Sequence, residues 1–168
     1  MEFGNRGPQP LDNVNVLKKK VVIEPLLADY VHRPVQESFN WHKILNDVRG
    51  QRGLPTNEPI YLFVFRSLRK PDLTAEDIQL LTDWDAAAHV AAEEADGFLA
   101  YFGGEPDEHG ACISFCLWRS REAALAGTAH PDHQTAARLI TMYAAHDTER
   151  YDIPVYYPHK FDARPYAR

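Results

Sequence analysis

The side chains of this chain best suited to moving a proton are histidines with carboxylate neighbours. His130 and His133 stand three residues apart, with Asp132 between them. On one helical turn this spacing puts both imidazoles on one side, where they can share a metal ion or a proton while Asp132 orients one of them. The same positions begin a helix, where polar side chains satisfy free backbone N–H groups, so capping is the competing role. His89 follows Asp85 by four residues in an alanine-rich stretch. That pair can be a general base with its orienting carboxylate, or an ordinary surface pair one helical turn apart. Trp118 offers a flat face to an aromatic ligand, but core or dimer packing is the favoured role.

The thiols are Cys112 and Cys116, both within the run Ala-Cys-Ile-Ser-Phe-Cys-Leu-Trp at 111–118, which reads as a strand. Four residues along a strand span about 13 Å at roughly 3.3 Å per residue. That exceeds the roughly 7 Å Cα limit of a disulfide and is too far for one zinc ion, so neither a bridge nor a metal site is expected. Reduced, buried thiols in a reducing compartment are expected instead. A cysteine nucleophile needs a nearby activating base, which no spacing here demonstrates. Gly103-Gly104 joins two strands with no helix N-terminus after it, so it is no phosphate cradle. The sequence contains no Walker motif, serine-nucleophile elbow, HExxH or paired CxxC.

Strands and helices must position these groups. Residues 60–65, Ile-Tyr-Leu-Phe-Val-Phe, read as a strand ended by Pro71-Asp72. Thr74 and Asp77 form a capping box for a helix whose apolar stripe is Ile78, Leu81, Trp84, Ala88 and Ala92, closed by Gly97. Residues 98–102 give a second strand, 105–110 a polar hairpin loop and 111–118 the third strand. Ser120 caps a short helix over 121–126. A longer helix starts near Pro131 with the stripe Ala136, Leu139, Ile140 and Tyr143, and a last strand covers 150–156 with Pro154 at an edge or end. The order is β-α-β-β-α-β, which predicts an α+β, ferredoxin-like antiparallel sheet of about 100 residues with two helices on one face.

Residues 1–58 precede this pattern. They open with Gly4, Gly7, Pro8 and Pro10, continue through a strand-like run at 20–23, and reach an amphipathic helix over 38–48. Phe39, Ile44, Leu45 and Val48 are its apolar residues, Asn40 its N-cap, and Gly50, Gly53 and Pro55 end it. The segment has too little apolar material for a core of its own and reads as an arm packing on the following domain or on a second subunit. The expected division is an arm at 1–58, the sheet domain at 59–157 and an aromatic, mildly basic tail at 158–168.

Along the third strand, Ile113, Phe115 and Leu117 share one face, and Cys112, Ser114, Cys116 and Trp118 the other. Two helices cover one face only, and the fully apolar side is expected to meet them. The mixed side is then left for a second sheet, which predicts a homodimer through the sheet face with a largely apolar pocket between the faces. Tyr61, Phe63 and Phe65 alternate along the first strand and are expected to line the same pocket as Cys116 and Trp118.

Composition bounds the function. The chain has 168 residues, 18 basic and 24 acidic, for a net charge of −6, with 45% hydrophobic and 25% charged residues, an ordinary balance for a soluble domain. No apolar run approaches the roughly 18–20 residues of a membrane span, and the N-terminus lacks the layout of a secretory signal. The acidic balance argues against a dedicated nucleic-acid binder. A cytoplasmic protein is expected, with a second copy of itself and a hydrophobic small molecule as partners, and neither nucleic acid nor membrane.

The run Phe115-Cys-Leu-Trp118-Arg-Ser120-Arg-Glu122-Ala123, followed by His130, resembles the Trp-x-Ser-x-Glu-Ala corner of the dimeric α/β-barrel superfamily, as does the element order over roughly 58–157. That superfamily includes antibiotic-biosynthesis monooxygenases and haem-degrading relatives. The haem degraders carry an asparagine in the first strand; residues 60–67 contain none, which argues against haem. The cofactor-independent monooxygenases bind a phenolic substrate through a Trp with nearby Asn, Tyr or Arg. The resemblance therefore implies a hydrophobic aromatic substrate and no cofactor. Trp118 would hold the substrate, Tyr61 or Tyr101 would hydrogen-bond it with Arg66 as a further neighbour, and His130 or His89 would move a proton. The alternative is a non-catalytic ligand-binding or stress-response protein of the same fold, because the corner motif also suits a purely structural turn. A cavity with an inward histidine or tyrosine favours the enzyme; one without titratable groups favours the binding protein.

Overall fold

The computed structural model describes residues 20–153 and the backbone of Arg164 and Pro165. After one 3-10 turn (Tyr30–His32) come α1 (Val35–Ser38) and α2 (Trp41–Arg52), then β1 (Ile60–Arg69), α3 (Ala75–Glu94), β2 (Phe98–Gly103), β3 (Ala111–Trp118), α4 (Arg121–Thr128) and α5 (Pro131–Arg138). A 3-10 turn (Leu139–Met142) leads from α5 into β4 (Tyr143–Ile153), and a short β5 (Arg164–Pro165) pairs at the sheet edge. The strand order is β2-β3-β1-β4-β5, with every neighbouring pair antiparallel. With β1 and β3 central and helices crossing between β1 and β2 and between β3 and β4, this is the α+β, ferredoxin-like arrangement.

Local chemistry sets the element ends as the sequence suggests. Asn40 caps α2 by accepting from the Lys43 N–H, and Gly53, at φ 62°, ends it in the left-handed region open to glycine. Thr74 and Asp77 exchange reciprocal hydrogen bonds at the start of α3, and Ser120 accepts from the Ala123 N–H to start α4.

Two expectations are corrected. The strand-like run at 20–23 is irregular, and the strand pairing among the described residues of the arm is an isolated bridge between Pro25 and Phe39. The helix opened by Pro131 stops at Arg138, and Tyr143 begins β4 rather than extending a helical stripe to a strand at 150. Residues 144–147 are exposed, so this half of β4 lacks period-two apolar alternation; its conformation comes from pairing with β1, which runs from Ile60 opposite Ile153 to Arg69 opposite Tyr143. The opening glycines and prolines at 4–10, the continuation of the last strand past Ile153 and the side chains of the tail at 158–168 lie outside the described residues.

The two faces of the sheet are exchanged relative to expectation. The apolar face, with Leu62 and Val64 beside Ile113, Phe115 and Leu117, is covered by the arm rather than by α3 and α5. Phe39 and Trp41 lie against Phe115, with ring centroids 5.0 and 5.1 Å apart, and Ile44, Leu45 and Val48 complete the same core. The mixed face, expected to be free for a second sheet, lies beneath α3, α4 and α5. The reason is size. The arm brings large apolar side chains that gain most from the most apolar face, whereas α3 and α5 turn a mixture of alanines and polar residues such as Asp85, His89 and His133 toward the sheet. Both faces of the sheet are thus covered within one chain.

The arm is held by directed bonds as well as burial. Arg66 donates from Nη1 to the Val31 carbonyl and from Nη2 to the Arg33 carbonyl, each at 2.8 Å, and its Nε donates to Glu149. Arg52 Nε donates to the Leu99 carbonyl at 3.1 Å, and His32 Nε2 lies 2.7 Å from Asp107 Oδ2 on the β2–β3 loop.

Candidate functional site

The helical layer sits loosely on the mixed face. In α3 only Leu81, Ala91 and Ala92 are buried, and α5 has no buried residue. Ala88, Ala92 and Ala136 bring only methyl groups to the space between helices and sheet, and a cavity of about 300 Å³ remains. Phe63 and Phe65 of β1 and Ser114 and Cys116 of β3 form its floor, placed side by side by the β1–β3 register, which sets Phe63 opposite Cys116 and Phe65 opposite Ser114. Trp84, Asp85 and His89 of α3, Tyr101 of β2, His133 of α5 and Tyr143 of β4 line the rest.

Its polar groups are few and connected. The Tyr101 hydroxyl donates to Asp85 Oδ2 at 3.0 Å. The His89 ring lies against the Tyr101 ring with centroids 4.2 Å apart, and His89 Nε2 is 3.1 Å from Glu93 Oε1. Burial, reinforced by Asp85, holds the Tyr101 hydroxyl far above its ordinary range, so it remains protonated. Burial pulls His89 below its ordinary value against the opposing pull of Glu93, and likewise lowers His133. Both imidazoles are therefore neutral near pH 7 and able to accept a proton. Cys116 is pushed up to about 12 and Cys112 to about 11, chiefly by burial, so both are thiols rather than nucleophilic thiolates. Both are free of disulfides, and Cys112 Sγ donates to the Gly104 carbonyl at 3.0 Å.

Among the residues singled out from sequence, Phe63, Cys116, Tyr101 and His89 line this cavity. Tyr61 and Trp118 are each 3% exposed and pack with Phe98, Ala92 and Ala124 in a cluster beside it, bordering an open groove of about 720 Å³ instead. His130 is exposed and caps α5, with Nδ1 accepting from the Asp132 N–H at 3.3 Å, and it does not line the cavity. His133, one turn on, faces inward instead. The expected Asp85–His89 pairing is also replaced, because Asp85 turns to Tyr101 and His89 to Glu93. Asp85 and His133, singled out from sequence as partners of His89 and His130, line the cavity as well, and so do Trp84 and Tyr143, which the sequence marked only as stripe residues of α3 and of the expected last helix. Among the described residues no three His, Cys, Asp or Glu side chains are grouped to hold a metal ion.

A family model described as PB2B2.08-like matches residues 10–159, taking in the arm as well as the sheet and its helices. The chain belongs to the PB2B2.08-like family. No curated protein matches it. Among solved structures, this PB2B2.08-like chain is similar to SnoaB, a cofactor-independent oxygenase from Streptomyces nogalater, at 11% identity over 55% of this chain and 90% of that one, TM-score 0.43. It is similar to Rv0793 from Mycobacterium tuberculosis at 19% identity over 54% and 91%, TM-score 0.44. It is also similar to a dimeric ferredoxin-like protein of unknown function from Thermobifida fusca at 15% identity over 58% and 93%, TM-score 0.44. No helix among the described residues of the PB2B2.08-like chain is long and apolar enough to cross a membrane.

Proposed function

We propose that this protein acts on a hydrophobic aromatic small molecule held between the sheet and helices α3 and α5, as a cofactor-independent monooxygenase. The observation that supports this most is the Tyr101–Asp85 hydrogen bond at the edge of an otherwise aromatic cavity, with neutral imidazoles of His89 and His133 beside it. A planar ring fits between Phe63 and Phe65 on one side and the alanine faces of the helices on the other. Because Asp85 engages the Tyr101 proton, the phenolic oxygen keeps lone pairs for a substrate hydroxyl, and His133 or His89 is the base. Removing a proton from a methylene activated by the ring leaves an electron-rich carbanion that reduces dioxygen directly. The methylene carbon loses both hydrogens and gains one oxygen atom as a carbonyl. The other oxygen atom leaves with those hydrogens as a single water molecule, and the substrate carbon supplies all four electrons that dioxygen takes up.

The cavity is lined by residues of one chain. The test is oxygen uptake with 2-tetralone, a bicyclic ketone with an activated methylene, alongside titration with 2-naphthol. Uptake matched by carbonyl formation, and lost in His133→Gln, is expected. Binding of 2-naphthol with no uptake from 2-tetralone would instead favour the non-catalytic ligand-binding reading. Failure of both aromatic molecules to bind would remove the proposal.

A further inference from the structure

The cavity does not end at its aromatic floor. Phe63, Cys116, His133 and Thr148 border both it and the outer groove, so the two spaces adjoin across these four side chains. Their chemistries differ. The inner part is aromatic, and its charged side chain is the carboxylate of Asp85. The outer part carries a guanidinium at the junction, because β4 sets Arg150 opposite Phe63 of β1 and the Arg150 Cζ lies 5.6 Å from the centroid of the Phe63 ring. The position is therefore fixed by sheet register, not by a loop. Among the described residues no carboxylate lies within ion-pair distance of Arg150. Its neighbour Glu149, which also borders the groove, is engaged by Arg66 and by the Tyr151 hydroxyl, which donates to Glu149 Oε2 at 2.7 Å. Arg121, at the start of α4, borders the same groove.

We infer that the site takes a bicyclic aromatic carboxylate, its rings in the inner cavity and its anionic group in the outer groove on Arg150. This rests on the aromatic site proposed above and adds the ligand's charge, size and direction of entry. A volume of about 300 Å³ is about twice the roughly 150 Å³ that accommodates one benzene ring, which gives two fused rings. A carboxylate facing inward would lose hydration beside Asp85; facing outward, it meets a planar guanidinium whose fork of N–H donors matches its two oxygens. The cation–π contact with Phe63 keeps that guanidinium over the ring end of the ligand.

The test compares 2-naphthoate with its neutral isostere 2-naphthamide by calorimetric titration of the full chain. The acid is expected to bind about tenfold more tightly, with the preference shrinking as salt rises from about 0.05 to about 0.5 M. R150Q is expected to bring the ratio of the two affinities close to one, and R150K to restore part of it. Measurable naphthamide binding by R150Q reports that the variant is folded; should it not fold, R150K and the salt dependence of the wild-type ratio decide. If the amide binds the wild-type chain as tightly as the acid, or the preference survives R150Q, this inference fails while the aromatic site stands. If neither molecule binds, the inference falls together with the proposed function.

Discussion

The Tyr101 hydroxyl and the Asp85 carboxylate, 3.0 Å apart, join edge strand β2 to helix α3 where the alanines of that helix leave a gap. The bond thus fixes one wall of the cavity and orients its phenolic oxygen. Tyr101→Phe keeps the ring against His89 but removes the donor. Thermal denaturation should show a loss of about 1 kcal/mol, and turnover of a phenolic substrate should fall about 100-fold or more. Asp85→Asn keeps an acceptor for the Tyr101 proton and should recover most of the stability. Full turnover by Tyr101→Phe would remove Tyr101 from the chemistry.

The two inward histidines set the pH dependence. In the unfolded chain each takes up a proton as pH falls through about 6.5, whereas burial keeps the folded imidazoles neutral to lower pH. Their contribution is therefore complete above about 6.5 and is lost as pH falls from there toward their folded values. Urea midpoints measured between about pH 8 and about pH 5 should decline only in the acidic half, and less steeply in His133→Gln. The acid limb of the wild-type kcat/KM profile should lie below about 6.5.

Arg66 ties the arm to the sheet through the Val31 and Arg33 carbonyls and Glu149. Arg66→Met keeps a long apolar stem and removes all three bonds. A loss of about 2 kcal/mol is expected, with faster amide exchange across residues 30–52 than within β1 and β3. Exchange unchanged in the arm would mean that burial of Phe39, Trp41 and Ile44 suffices to hold it.

Gly127 tests the position of Trp118. In an ordinary helix Gly→Ala gains up to about 1 kcal/mol. Here a Cβ would stand 2.4 Å from Trp118 Cη2, and Trp118 is wedged edge-on against Phe98 with centroids 5.3 Å apart. Gly127→Ala should therefore destabilise by about 1–3 kcal/mol. A stabilised variant in urea titration would show that the indole has room to move.

The element order was legible because its signals are local: the Thr74–Asp77 and Ser120 caps, the aromatic run from Ile60 and the alternation of Ile113, Phe115 and Leu117. Which partner covers each face was not, because that depends on two candidate layers competing for one surface, and the arm's Trp41, Ile44 and Leu45 outweigh the alanines of α3 and α5. The same limit applies to the histidines. Spacing places His130 and His133 on one turn, yet only the fold shows that His130 is engaged by the Asp132 N–H while His133 faces the sheet. The bond between Asp85 and Tyr101 joins a helix to a strand across 16 residues, a pairing to which helical periodicity is blind.

The most direct measurement is a crystal structure of the chain grown with 2-naphthol. The expected result is a bicyclic ring between Phe63 and the alanine faces of α3 and α5, its hydroxyl within about 3 Å of the Tyr101 oxygen or a His133 nitrogen. A ligand seated only against Trp118 in the outer groove, or a cavity filled by its own side chains, would contradict the proposed site.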